Sequence, residues 1–377
     1  MSSLYLTADR IGGPSGGSKV TFHESEALRS LGECEVWGRD ELEKSGGDTD
    51  YGCDPWLWDN IAVESIDFRN PPQLAHFYAG TFSTVIRMLK QKGCRITYTA
   101  AAHSIAVSKR EHEKLGLPYY QHLTDPELFK RYIAGYLAAD VLIVPSQHSA
   151  QVMRSYGATN RIEIIPHGVD IPTAPIVPLP KTFRVGYLGN CIAPDKGLIY
   201  LLTAWKKLGY KDATLVIGGH DSASNAFSHL VRRFSGGNIQ LVGWVDDVAD
   251  FYNGISLYVQ PSASEGFSLE VLEAMSYGRP VLCSDGAGAA DVVSNFYRVR
   301  ACNVDDIANW IDAWRKGKPS VHLWEEQAAG WRNQAAKYSW DKIRQRYIDV
   351  WRDFPFGMKS ERYQDVVQGP QVWSSGG

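Results

Sequence analysis

Residues 256–281 constrain this chain most, because they read in order as a buried strand, a tight turn, a helix and a second strand, the unit from which parallel sheets are built. Ser256–Val259 carries the apolar run of a strand covered on both faces. Gly266 interrupts it, Ser268 stands where a side-chain oxygen caps a helix, and Gly278-Arg279-Pro280 stops that helix ahead of Val281. Two carboxylates frame the helix start: Glu265 lies in the turn, and Glu273 follows within the helix. The first N–H groups of a helix have no intrahelical acceptor and sit at the positive end of its dipole, so a helix start beside a glycine attracts an anion such as a diphosphate. The carboxylates would repel that anion and instead accept hydrogen bonds from neutral diols on either side of it. A molecule with a sugar, a diphosphate and a nucleoside in sequence fits this pattern. Spacing alone also describes two solvated glutamates on a helix surface.

The full run Glu265-Gly-Phe-Ser-Leu-Glu-Val-Leu-Glu273-Ala-Met, with Val259-Gln-Pro-Ser262 before it and Gly278-Arg-Pro-Val281 after it, closely resembles the E-x7-E signature of retaining, metal-independent GT-B glycosyltransferases of the family 4 type. That resemblance implies an α/β chain of two Rossmann-like domains facing each other across a cleft. It implies transfer of a sugar from a nucleotide-diphosphate sugar to a glycan, lipid-linked or small-molecule acceptor, with no metal and no cofactor besides the donor. Carried onto this sequence, it assigns donor contacts to Gly16, Gly17, Asn190, Lys196, Glu265, Gly266, Phe267, Ser268, Leu269 and Glu273, with His103, Lys196 and Glu265 in the chemistry. Asn190 departs from the pattern, since the family usually supplies an arginine there. A nucleotide-sugar-binding pseudoenzyme or a GT-B phosphorylase would share these features.

A chain of 377 residues with 44% hydrophobic content supports two packed cores. Its 39 basic and 42 acidic residues give a net charge of −3, with no long basic run, which argues against a nucleic-acid partner. Six cysteines are scattered without C-x-x-C spacing, the usage of reduced cytoplasmic thiols. The N-terminus lacks the basic start and apolar run of a signal peptide, and no stretch reaches 18 apolar residues, so a soluble, cytoplasmic protein is expected.

Taken in order, the chain opens with strand Leu4–Thr7, a glycine loop over 12–17 and a helix over 18–31. The loop fits either close approach to a ligand or a plain turn, since it is neither G-x-G-x-x-G nor a Walker motif. Residues 39–67 read as a loop or lid in which Tyr51, Trp56 and Trp58 meet an acceptor or pack onto the domain. Arg87, Lys90, Lys92, Arg95, Lys109, Arg110 and Lys114 offer a basic face for weak peripheral membrane contact, or simply a solvated one. Arg95–Thr99 delivers His103 to the carboxyl edge of a sheet, where open α/β folds bind ligands. Further βα units lead to Pro166-His-Gly-Val-Asp170 and the proline-rich 171–182, a semi-rigid connection. The division expected is 1–170, linker 171–182, 183–338, a helix within 339–363 that crosses back to the first domain, and a tail over 364–377. In the second part, Lys196 follows Gly189-Asn-Cys-Ile-Ala-Pro-Asp at a helix start, where an ammonium suits a diphosphate.

Overall fold

The computed structural model describes residues 1–13, 15–44, 56–119, 121–232, 238–317 and 321–353. Tyr51 and the tail 364–377 lie outside these residues. Two six-stranded parallel sheets form the molecule, as expected for the GT-B architecture. The first holds β1 (Ser3–Thr7), β2 (Cys34–Trp37), β3 (Leu74–Tyr78), β4 (Arg95–Thr99), β5 (Val141–Val144) and β6 (Arg161–Ile164) in the order β2-β1-β3-β4-β5-β6. The second holds β7 (Phe183–Leu188), β8 (Ala213–Gly218), β9 (Ile239–Gly243), β10 (Leu257–Gln260), β11 (Val281–Ser284) and β12 (Arg298–Val299) in the order β12-β11-β10-β7-β8-β9. The strand order reverses between β1 and β3 in the first sheet and between β7 and β10 in the second. Loops at the carboxyl ends of such neighbouring strands splay apart and leave a crevice.

Both faces of the inner strands are covered, so β1, β3, β5, β10 and β11 are buried at every position, whereas the edge strands β2, β6 and β9 are partly exposed. In β1, Leu4 and Leu6 point into one cluster with Phe77, Ile96 and Tyr98, whereas Tyr5 points into another with Leu74, Val141 and Ile143. The second of these clusters is closed by the helix Trp340–Arg352, whose Trp340, Ile343, Tyr347 and Trp351 recur at helical spacing and are all buried. Beneath it, the buried Glu24 carboxylate accepts hydrogen bonds from Tyr5 at 2.8 Å and Thr99 at 2.7 Å. Burial alone would raise its pKa, but His76 and the hydroxyls of Thr99 and Tyr347 hold it below the ordinary value.

Several expectations need correction. Residues 39–67 are not a lid throughout: helices Arg39–Lys44 and Leu57–Ser65 lie within them. Trp58 is fully buried and Trp56 nearly so, so both pack onto the domain and neither is free to meet an acceptor. Trp58, Ile61 and Ala62 form the buried stripe of a helix, and Asp59 caps the helix Ser83–Gln91 by accepting from the N–H groups of Thr84 at 2.8 Å and Val85 at 3.0 Å. Gly16 and Gly17 are the first residues of the helix Gly16–Arg29 rather than part of a loop, because the Ser15 hydroxyl accepts from the Ser18 N–H and caps it earlier than expected. The basic face is partly neutralised: Lys90 pairs with Asp140 at 2.6 Å, while Arg110 and Lys114 pair with Glu111 at 3.0 and 2.9 Å. Among the described residues, no helix is long and apolar enough to cross a membrane.

Candidate active site

The turn after β10 is held from two sides. From the loop after β11, the Glu265 N–H donates to the Gly286 carbonyl at 2.8 Å, and the Gly288 and Ala289 N–H groups donate to Glu265 and Phe267 at 3.0 and 2.7 Å. The approach is close enough that a Cβ at Gly288 would lie 2.0 Å from the Gly266 carbonyl oxygen, so this contact requires glycine. From the loop after β7, the Asp195 carbonyl accepts the Ala263 N–H at 2.7 Å, which brings Lys196 beside the turn. The two loops at the second sheet's switch point are therefore one backbone-linked unit.

Ser268 does not cap the helix Leu269–Ser276. Its backbone adopts φ = 89°, and its hydroxyl donates to Glu265 at 2.5 Å instead. Among the described residues the N–H groups of Gly266, Phe267 and Ser268 make no hydrogen bond, so they stay available at the helix start. Glu265 is fully engaged: it accepts from Lys196, from Ser262 at 2.7 Å, from Ser268 and from Gln260 at 3.2 Å. A carboxylate has about four acceptor positions, so a new partner must displace one of these. Burial would lift the Glu265 pKa, but Lys196 and the two serine hydroxyls bring it below the ordinary value. Burial would lower the Lys196 pKa, yet Glu265, Glu270 and Asp195 raise it, so this lysine is charged.

Glu273 faces the same space one turn along. Its carboxylate accepts from Lys19 at 2.6 Å and from the Tyr252 hydroxyl at 3.0 Å. Glu270, which sequence reading passed over, shares this helix face. Burial together with the neighbouring Glu265 and Glu273 lifts its pKa to about 7 against the pull of Lys196.

Across the cleft, the loop after β4 carries His103. The adjacent Ser104 N–H donates to the Ser264 hydroxyl oxygen at 2.8 Å, and the His103 carbonyl accepts from Tyr156 at 3.1 Å. Burial lowers the His103 pKa, with Asp195, Lys196 and Glu265 all near enough for their charges to act on the ring. The uncharged imidazole therefore predominates at neutral pH. The start of the helix Gln147–Ser155 completes the seam: Ser146 donates to the Gly266 carbonyl at 2.7 Å, and the Gln147 N–H donates to Asp291 at 2.7 Å.

The structure thus gathers His103, Lys196, Glu265, Gly266, Ser268 and Glu273 around one cleft, with Gly16 reaching it from the first half. Phe267 and Leu269 contribute only backbone, because the Phe267 ring packs edge-on against His167 at 5.3 Å and Leu269 is buried in the first sheet's cluster. A Cβ at Gly16 would come within 3.0 Å of that Leu269 side chain. Gly17 faces the Asp9 carboxylate and the Tyr78 hydroxyl. Asn190 turns its side-chain oxygen back to the Ile192 N–H at 3.1 Å. Sequence reading missed Lys19, Tyr252 and Glu270. For Glu270 a local signal was present, since it lies three residues before Glu273 and so on the same helix face.

Two facing parallel sheets with a carboxylate pair at the helix start of one switch point define a protein of the GT-B class. A family described as Glycosyltransferase Family 4 matches residues 15–172, and one described as Glycosyl transferases group 1 matches residues 182–316. The chain belongs to these family 4-type, group 1 glycosyltransferases. It is 32% identical over 121 residues to the capsular polysaccharide biosynthesis glycosyltransferase CapM of Staphylococcus aureus, covering 31% of this chain and 32% of that one. It is 26% identical over 246 residues to the D-inositol 3-phosphate glycosyltransferase of a Nocardioides species, covering 57% and 54%. The chain thus spans about a third to about half the length of these curated relatives. Among solved structures, sucrose-phosphate synthase from Thermosynechococcus elongatus superposes with a TM-score of 0.71 at 18% identity, covering 93% of this chain and 98% of that one. An Anabaena protein in complex with UDP and glucose gives 0.64 at 15% identity, covering 93% and 99%. At these identities the structural likeness speaks for the fold.

Proposed function

We propose that this chain transfers a hexose from a nucleotide-diphosphate sugar to an acceptor hydroxyl, with retention of anomeric configuration and without a metal ion. The observation that carries the reading is the placement of Glu265 and Glu273 on either side of a helix start whose N–H groups are unpartnered, with Lys196 beside it and His103 opposite. The N–H groups and Lys196 suit the charge that develops on a leaving diphosphate. Glu273 suits the ribose diol and Glu265 the hydroxyls of the transferred sugar, each through charge-assisted hydrogen bonds. The neutral His103 ring can exchange a hydrogen bond with that sugar without adding a charge. The acceptor enters from the first half, which binds a glycan, a lipid-linked sugar or a small molecule.

The test is a panel of labelled nucleotide sugars, offered with and without such acceptors, in which release of nucleoside diphosphate is followed and the anomeric proton of the product is read by NMR. Activity should survive EDTA. His103→Ala should cut turnover strongly while nucleoside diphosphate still binds. If no donor is turned over, or if His103→Ala works at the wild-type rate, the reading fails.

A further inference from the structure

Glu265 and Glu273 are both occupied by lysines. Lys196, from the loop after β7, holds Glu265; Lys19, from the first turns of the helix Gly16–Arg29 in the opposite half, holds Glu273 at 2.6 Å. Three carboxylates, Glu265, Glu270 and Glu273, with Asp170 and Asp195 also near enough to act on the lysines, thus meet two ammonium groups. A diphosphate entering this space brings two or more further negative charges, while Asn190 contributes none. The uncompensated charge would make binding unfavourable unless both lysines turn to the phosphates.

We infer that Lys19 is the second diphosphate-binding cation of the donor site, exchanging Glu273 for a phosphate when the donor enters and so releasing Glu273 to the ribose diol. This rests on the donor reading above. Geometry supports the exchange. The Lys19 side chain is 33% exposed, so it has room to move, whereas Glu273 is 14% exposed and is further fixed by Tyr252. The Lys19 ammonium also lies within the field of Asp170 and Glu270 as well as Glu273, and Glu270 stands in the first turn of the helix Leu269–Ser276, beside the unpartnered N–H groups. Because Lys19 belongs to the first half, the same exchange makes a phosphate contact depend on the two halves being closed together. An ammonium suits this role, since it is a point charge on a flexible stem that can serve two acceptors in turn.

The experiment titrates full-length wild type, Lys19→Met and Lys19→Arg with UDP, GDP and ADP by calorimetry, and with the matching nucleosides by ligand-observed NMR. For the diphosphate that binds wild type, Lys19→Met should weaken binding roughly 10- to 100-fold, the loss expected for one charge-assisted hydrogen bond. Its nucleoside should bind as in wild type or tighter, because Glu273 is freed. Lys19→Arg should restore most of the diphosphate affinity. If Lys19→Met tightens the diphosphate, Lys19 only competes for Glu273 and the inference is overturned. It is equally overturned if diphosphate and nucleoside weaken alike, or if neither changes. If wild type binds none of the three diphosphates, the donor reading itself falls, which is a different result from any of these.

Discussion

Glu270 is the residue at which charge and burial conflict most plainly. Its carboxyl is raised to about 7 by burial and by the two glutamates beside it, so between about pH 4.5 and 7 the folded protein keeps a proton that the unfolded chain has released. The folded state binds more protons across that window, so the contribution of this group to stability falls as pH rises through it and stays reduced above it. Glu270→Gln removes the penalty while keeping the shape. The variant should melt above wild type at pH 8, with the difference shrinking toward pH 5; a difference that does not change with pH would contradict this account. The same substitution removes a negative charge beside the diphosphate position proposed above and should tighten nucleoside diphosphate binding at pH 8.

The helix Trp340–Arg352 is the element with the largest structural consequence for its length. It follows the second sheet in sequence yet closes a core of the first, and it does so through Trp351, which is fully buried and donates its indole N–H to Thr97 at 3.1 Å. Trp351→Ala leaves a large cavity and should cost about 3–5 kcal/mol of stability. Trp351→Phe should cost less, because most of the ring volume is kept. Urea unfolding followed by circular dichroism measures both, and an alanine variant as stable as wild type would mean that the helix does not hold the first half together. Since this helix couples the halves, its loss should also separate their unfolding into two calorimetric transitions.

At the scale of the whole molecule, the cleft is closed by backbone contact. A Cβ at Gly266 would lie 2.6 Å from the Ala101 carbonyl oxygen, across the seam between the halves, and that carbonyl has no flexible end that can move aside. The restriction is one of space, since Gly266 is not among the positive-φ residues. Gly266→Ala should leave each half folded but hold them slightly apart. A displacement of about 1 Å at a reacting centre costs on the order of 100-fold in rate, so turnover should fall by about that much while the melting temperature changes little. Small-angle scattering should show a larger radius of gyration. Full activity in this variant would mean that the closed seam is not the working state.

What the sequence determined by itself was local. The run Val141–Val144 is a strand and Asp125-Pro126 opens a helix because both signals act within a few residues: an apolar stretch buried on both faces, and a carboxylate that caps the two N–H groups following it. The glutamate pair was legible for the same reason, as a spacing along one turn and helix. Other features depended on docking. Trp58 belongs to a core rather than a ligand surface because the Leu57–Ser65 helix packs on Ser83–Gln91, and Ser268 turns to Glu265 rather than capping because its backbone takes a positive φ within the clamped turn. Lys19 and Glu273 stand 254 positions apart, and no periodicity or spacing connects them. Their meeting follows from how two independently layered sheets close on each other, a relation set by the seam at Gly266, Ser146 and Ala101 and by the crossing helix, and so decided only in the tertiary structure.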